Sequence, residues 1–404
     1  MAIPVNLGKP ELCAVIGDRL ERSPQGQITF ADFMALALYH PEHGYYTRQA
    51  AQLGRGGDFV TSAHLGSDFA ELLAEQLVEM WQRLQQPIPF HLMEMGAGQG
   101  QLADGILAYL HRQYPDCFAA VHYILVETSA ALRQVQQTRL ATWQAQSVPI
   151  TWRELADIPA ESLTGCCFSN ELVDALPVHR VTLTSKGWQE QYVTGSAANA
   201  AAPFTITLGP LSTPQLEAYL EQVGLVPIPT SHPEHYTTEI NLAALDWLAQ
   251  VANKLHRGYV LTVDYGYAVK RYYSPARSQG TLQCYYQHAH HNEPLINIGT
   301  QDITAHVNFT ALEQQGDRCG LTNLGTVPQE LFLMALGLGD RLNQLAQIEA
   351  TDPQTVRAAL QRREALHQLI NPMGLGKFNV LVQSKGLAAA PTTPLKGLTM
   401  PPLM

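Results

Sequence analysis

No run of about 18 apolar residues occurs in the 404-residue chain, so the sequence offers no membrane-spanning helix. Positive charge is also short: 25 Lys and Arg stand against 35 Asp and Glu, a formal net charge of -10. That balance excludes a general nucleic-acid binder held by phosphate contacts and suits a basic protein segment better. Cysteines are few, and none of Cys13, Cys117, Cys166, Cys167, Cys284 and Cys319 forms a CxxC pair. They read as reduced core residues, not as a disulfide framework or a zinc site. The HExxH pattern is missing too, so His288, His290 and His291, with Glu293 nearby and His306 further on, read as solvated or structural histidines. His288 and His306 stay as secondary candidates for a general base. Met1–Leu20 carries neither an apolar export core nor an Arg-rich amphipathic face, which sets the expectation of a cytoplasmic protein.

What is present is an alternation of short apolar runs and helical stretches. Residues 1–85 read as a helical region interrupted by the Gly-rich loop Gly54–Ser62. The helix expected over 67–85 has its apolar stripe at Phe69, Leu72, Leu73, Leu77, Met80 and Trp81. From residue 86 to 177, strands at Phe90–Met95, His122–Glu127, Val148–Trp152 and Gly165–Ser169 alternate with helices, the signature of a parallel sheet covered on both faces. Residues 178–255 read as an inserted β and helical element, and 256–326 as the second half of the core, opening on the strand Gly258–Asp264. A helical insertion over 327–371, a closing strand within 372–387 and a disordered tail over 388–404 complete the reading.

The first expected strand runs into Glu94-Met95-Gly96-Ala97-Gly98-Gln99-Gly100. A glycine turn between a strand and a helix lets a ligand approach the backbone, with free amides at the helix start. The pattern is ExGxGxG, whereas a dinucleotide site would read GxGxxG to cradle a pyrophosphate. An acidic residue two positions before the first glycine suits a cationic amino-acid tail, as in S-adenosylmethionine. Glu127 ends the next strand, where a carboxylate can accept hydrogen bonds from ribose hydroxyls. The third feature, Asn170-Glu171-Leu172-Val173-Asp174-Ala175-Leu176-Pro177, follows the strand Gly165–Ser169, at an end of the sheet where ligands bind. An N-cap at Asn170 with early acidic residues accounts for Asn170 and Glu171 equally well. Asp174, close to Pro177, is less well covered by that reading.

Together these segments resemble the MidA-like methyltransferase family, which includes mitochondrial protein arginine methyltransferases that assist assembly of respiratory complex I. The matching stretches are Pro41–Tyr46, Gly57–Ser62, Glu94–Gly100, Asn170–Pro177, Asp264–Gly266, Gly280–Leu282 and Asp302–Phe309. The resemblance implies an α/β fold: a Rossmann-like, seven-stranded class I methyltransferase sheet with an added N-terminal helical region and inserted β and helical elements. It implies S-adenosyl-L-methionine as cofactor, and a protein arginine as acceptor, by likeness on a subunit of a respiratory-type complex. Where many relatives read Thr-Ser-Pro-Glu, this chain has Thr61-Ser62-Ala63-His64, and Asn308 replaces the usual Asp. On this reading Glu94, Gly96, Ala97, Gly98, Gly100, Glu127, Thr61, Ser62 and Asn170 hold the cofactor. Glu171, Asp174, Asp58 and Asp264 are the carboxylates that would orient a charged acceptor, with Asp58 on a loop expected to close over the site. A different acceptor, small molecule or other side chain, and a cofactor-binding assembly factor without turnover remain open alternatives.

Overall fold

Short apolar runs ended by glycine turns pair most readily as buried parallel strands. The computed structural model describes residues 7–48, 62–195, 204–287, 289–347, 352–387 and 393–401, and seven strands hydrogen-bond in its largest sheet. In chain order these are β1 (Phe90–Met95), β2 (Val121–Val126), β3 (Ile150–Arg153), β4 (Leu163–Asn170), β5 (Leu255–Asp264), β6 (Thr322–Pro328) and β7 (Asn379–Lys385). Across the sheet the order is β3-β2-β1-β4-β5-β7-β6. The first five are parallel, and β7 runs antiparallel to both of its neighbours. The chain works outward from β1 to β3, then crosses back to β4 on the other side of β1. That reversal opens a crevice beyond the carboxyl ends of β1 and β4, where ligands bind in open α/β sheets.

This sheet belongs to a unit made of Phe59–Leu172, Leu248–Tyr265 and Glu313–Met404. Its main helices are α1 (Asp68–Arg83), α2 (Gln101–Gln113), α3 (Ala130–Ala145), α4 (Gln329–Ala335), α5 (Leu338–Ala346) and α6 (Pro353–Leu369). The expected stripe of α1 is buried against the sheet together with Leu102, Ile106 and Leu110 of α2. Asp68 at the start of α1 accepts hydrogen bonds from Arg341 of α5 and Arg362 of α6, at 2.7 and 2.8 Å. Those bonds outweigh its burial and hold the carboxyl below its usual range.

The second unit comprises Met1–Asp58, Val173–Trp247 and Gly266–Leu312. Its five-stranded antiparallel sheet contains Gln27–Thr29, His179–Thr184, Gly187–Gly195, Phe204–Gly209 and Thr237–Ile240. The helices Pro10–Arg22 and Phe30–Tyr39 bury Leu12, Ile16, Leu20, Phe33 and Leu38 in a core shared with Val193 and Phe204. A three-stranded sheet of Gln283–Tyr286, Ala289–His291 and Asp302–Thr304 completes the unit's larger ladders.

The last strand expected, within 372–387, is β7, which lies between β5 and a strand that the sequence reading did not find, β6. The edge strand β6 is half-buried or exposed along its length and carries Gly325 and Pro328, so its composition gives little strand signal. Two expectations are corrected. The N-terminal region is not purely helical, since Gln27–Thr29 pairs with Tyr192–Thr194. The tail expected to be disordered is packed over 393–401: Leu395 is buried, and the amides of Lys396 and Gly397 donate to Glu79 and Gln76 of α1 at 2.8 and 2.9 Å. A proline-rich composition concealed one buried leucine and a set of backbone hydrogen bonds.

The six cysteines are free, and five of them are buried. Among the described residues no helix is long and apolar enough to cross a membrane.

Candidate functional site

The turn after β1 is built from backbone that side chains rarely tolerate. Gly96, Gly98 and Gly100 have φ of 71, 52 and 77°, all left-handed. A Cβ on Gly96 would stand 2.9 Å from Cδ1 of Leu172, whereas one on Gly98 would meet nothing within 4 Å. The middle glycine therefore faces open space, as a turn approached by a ligand requires. Gly100 is the residue before α2, so the unpaired amides at that helix start lie at the same turn. Ala97 is buried.

Glu94 sits near the end of β1 with 3% of its surface exposed. One of its oxygens accepts the Tyr123 hydroxyl at 2.5 Å. Burial pushes the carboxyl up to about 7, and the tyrosine hydrogen bond works against that rise. Glu127, directly after β2, is also buried. Its Oε1 accepts the Ser129 amide at 2.8 Å, and its Oε2 accepts Gln136 Nε2 at 3.1 Å. Burial raises this carboxyl too, opposed first by the Ser129 amide and then by Gln136.

At the end of β4, Asn170 Nδ2 donates to Glu171 Oε1 at 3.1 Å, and the Ser62 amide donates to the same oxygen at 3.2 Å. Glu171 has φ of 53°, an uncommon conformation for a non-glycine residue, and its own amide donates to the Val263 carbonyl at 2.9 Å. Such backbone persists where the surroundings over-determine it, most often at functional sites. Ser62 Oγ also donates to Gln329 Oε1 at 3.4 Å. Among the described residues, the buried Ser169 Oγ and Asn170 Oδ1 find no hydrogen-bond partner. Asp264, fully buried at the end of β5, accepts the amide of Tyr265 at 2.9 Å.

Glu94, the glycine turn, Glu127, Ser62, Asn170, Glu171 and Asp264 thus all belong to the sheet-bearing unit. All but Ser62 lie at or just beyond the carboxyl ends of neighbouring strands. Two acidic residues suited to an ammonium and a ribose, an approachable turn and unpartnered polar atoms fit S-adenosyl-L-methionine. Asp58 and Thr61, with the rest of the loop expected to act as a lid, lie outside the described residues, as does His288.

Asp174 belongs to the other unit. It is buried, and its carbonyl accepts the Ala305 amide at 2.9 Å. Its charge and that of the buried Asp302 both raise Tyr46 and Tyr285, whose hydroxyls are pushed up chiefly by burial, that of Tyr285 to about 12. Tyr46 donates to both carboxylate oxygens of Asp302, each at 2.9 Å, and stacks on Tyr39 with ring centroids 5.5 Å apart. Asp302 acts on the same two tyrosines as Asp174, which spacing alone does not reveal, since 128 residues separate them. His306 stacks on Tyr267 with centroids 5.0 Å apart.

Comparison with known proteins agrees with this geometry. Residues 72–327 match the model of a family of S-adenosyl-L-methionine-dependent methyltransferases. A solved structure from Burkholderia thailandensis, described as bound to S-adenosyl-homocysteine, is similar over 96% of this chain and 94% of its own. The two are 32% identical, with a TM-score of 0.81. A protein named mitochondrial protein arginine methyltransferase NDUFAF7, from Rattus norvegicus, is 30% identical over 377 residues, 87% of this chain and 79% of its own length. Its Drosophila melanogaster homologue is 28% identical over 390 residues, 90% of this chain and 83% of its own. Both are named as mitochondrial, which overturns the expectation of a cytoplasmic protein. Compartment is read from targeting signals and not from the fold, so the composition of the first residues had little power to decide it.

Proposed function

We propose, from the premise that this chain belongs to the family of S-adenosyl-L-methionine-dependent methyltransferases, that its methyl acceptor is an arginine side chain of a protein. By resemblance, a subunit of a respiratory-type complex is the substrate proposed. The bound cofactor supplies a methyl group on a positively charged sulfur. The chain's own work is then to hold that cofactor, to orient the acceptor nitrogen and to keep water away.

Glu94 is assigned to the cofactor's ammonium and Glu127 to its ribose, with Gly96, Ala97, Gly98 and Gly100 forming the turn against it. Ser62 and Asn170 are assigned to the same ligand, the latter through its unpartnered carbonyl oxygen. An arginine guanidinium carries its charge at every working pH, so carboxylates serve to orient it and to draw the charge toward the nitrogens they hold. Glu171 is the first such candidate, fixed by Ser62 and Asn170 in an uncommon backbone conformation. Asp174, beside Asp302, is the second. Asp264, buried at the end of β5, is a further candidate.

The observation that carries the reading is the switch point itself: an open-faced glycine turn beside a buried carboxylate already held by two donors. The test is transfer of labelled methyl from S-adenosyl-L-methionine to basic protein segments, followed by amino-acid analysis. Label is expected in methylarginine. Glu171→Gln and Asp174→Asn should each lower the rate by about 100-fold or more while cofactor affinity changes little, as for loss of a charge-orienting contact. Label confined to another residue or to small molecules would reject the arginine acceptor.

A further inference from the structure

We infer that Gln136, on α3, is a positioning residue that sets the cofactor site by tying together the ends of three strands. It is fully buried. Its Nε2 donates to the carbonyl of Gly98, after β1, at 2.8 Å, and to Glu127 Oε2, after β2, at 3.1 Å. Its Oε1 accepts the indole N–H of Trp152, on β3, at 2.9 Å. The amide cannot be turned the other way round. An indole nitrogen only donates, and a backbone carbonyl and a carboxylate only accept, so each partner demands the end it meets. Both amide hydrogens are used, and one side chain fixes the glycine turn and the ribose carboxylate at a set separation.

Helix packing would not require this. An apolar side chain could fill the same volume against Gly100, whose Cβ position lies 3.4 Å from Cγ of Gln136. Instead the chain buries an amide and satisfies all three bonds, which is costly unless each partner is in place. With Ser129 N–H on Oε1 and Gln136 on Oε2, the Glu127 carboxylate cannot rotate, yet each oxygen keeps a lone pair for a ribose hydroxyl. Holding a binding group in its bound orientation lowers the ordering cost of association.

The inference rests on the assignment of Glu127 to the ribose, and the experiment separates the two. The binding of S-adenosylhomocysteine and of its 2′,3′-dideoxyribose analogue is measured by calorimetry on wild type, Glu127→Ala, Gln136→Met and Trp152→Phe. Wild type should prefer the hydroxylated ligand by at least about 100-fold, because a site built to bond a hydroxyl rejects the analogue lacking it. Glu127→Ala should abolish that preference; if it does not, the ribose assignment fails. Gln136→Met, close in volume and unable to make the three bonds, should weaken the hydroxylated ligand by about tenfold or more and the analogue little, so the preference shrinks. Equal weakening of both ligands, or no change, while Glu127→Ala removes the preference, would overturn the role of Gln136 alone. Trp152→Phe leaves the glutamine and removes its anchor, so it should reduce the preference in the same direction. Should Gln136→Met not fold, an undiminished preference in Trp152→Phe overturns the inference and a reduced one supports it.

Discussion

At the scale of single residues, the account turns on carboxylates whose surroundings matter more than their positions in the chain. Glu94 is the clearest case, with its carboxyl raised by burial from 4.5 to about 7. The folded state therefore keeps a proton that the unfolded chain has released between those values, so stability falls as pH rises from about 4.5 to 7. The loss attributable to this group is on the order of 3 kcal/mol at most. Urea unfolding of the ligand-free protein should show a steeper decline over that window in wild type than in Glu94→Gln; identical slopes would mean that Glu94 is not desolvated. The glycine turn, Glu94, Glu127 and Glu171 could be picked out because chemistry requires those residue types at strand ends. Gln136 could not, because it is one of several glutamines on α3, beside Gln134, Gln137 and Gln144, and its bonds depend on partners at the ends of three strands. Asp302, read only as part of a matching stretch, was given no role for the same reason: its partner Tyr46 lies far away in the chain.

At the scale of elements, strong local patterns were readable and weak ones were not. The apolar stripe of α1 and the runs of β1, β2, β4 and β5 announce themselves through periodicity. Edge strand β6 does not, being half-buried or exposed along its length with no alternation, and the strand Gln27–Thr29 is three residues long and defined by its partner. The packed tail is held by backbone amides, which leave no trace in residue types. The helical segment α5–α6 is tied to α1 through Asp68, where two arginines converge on one carboxylate. Removing its charge leaves Arg341 and Arg362 without that partner. Asp68→Asn should cost about 2 kcal/mol near neutral pH, less than a fully buried pair because Arg362 is half-exposed. Since the Asp68 carboxyl is depressed, its contribution is present above the ordinary aspartate range and is lost as pH falls through the lowered value. The gap between variant and wild type in urea should therefore close in acid, and a gap independent of pH would contradict the ion-pair account.

At the scale of the whole molecule, each unit is assembled from three separate stretches of chain, so the backbone passes from one unit to the other five times. A segment-by-segment reading finds the parts in order but cannot tell which distant parts fold together, because pairing over more than a hundred residues is not encoded in local periodicity. The seven-stranded sheet, its switch point and the match of residues 72–327 to the methyltransferase family all converge on one ligand. The most direct test of that convergence is calorimetric titration of the purified protein with S-adenosyl-L-methionine and S-adenosylhomocysteine, on wild type and on Glu127→Ala. The account predicts one site per chain in wild type for both ligands, with affinity falling by about 100-fold in the variant. Wild-type binding that the variant leaves untouched, or no binding of either ligand, would contradict it.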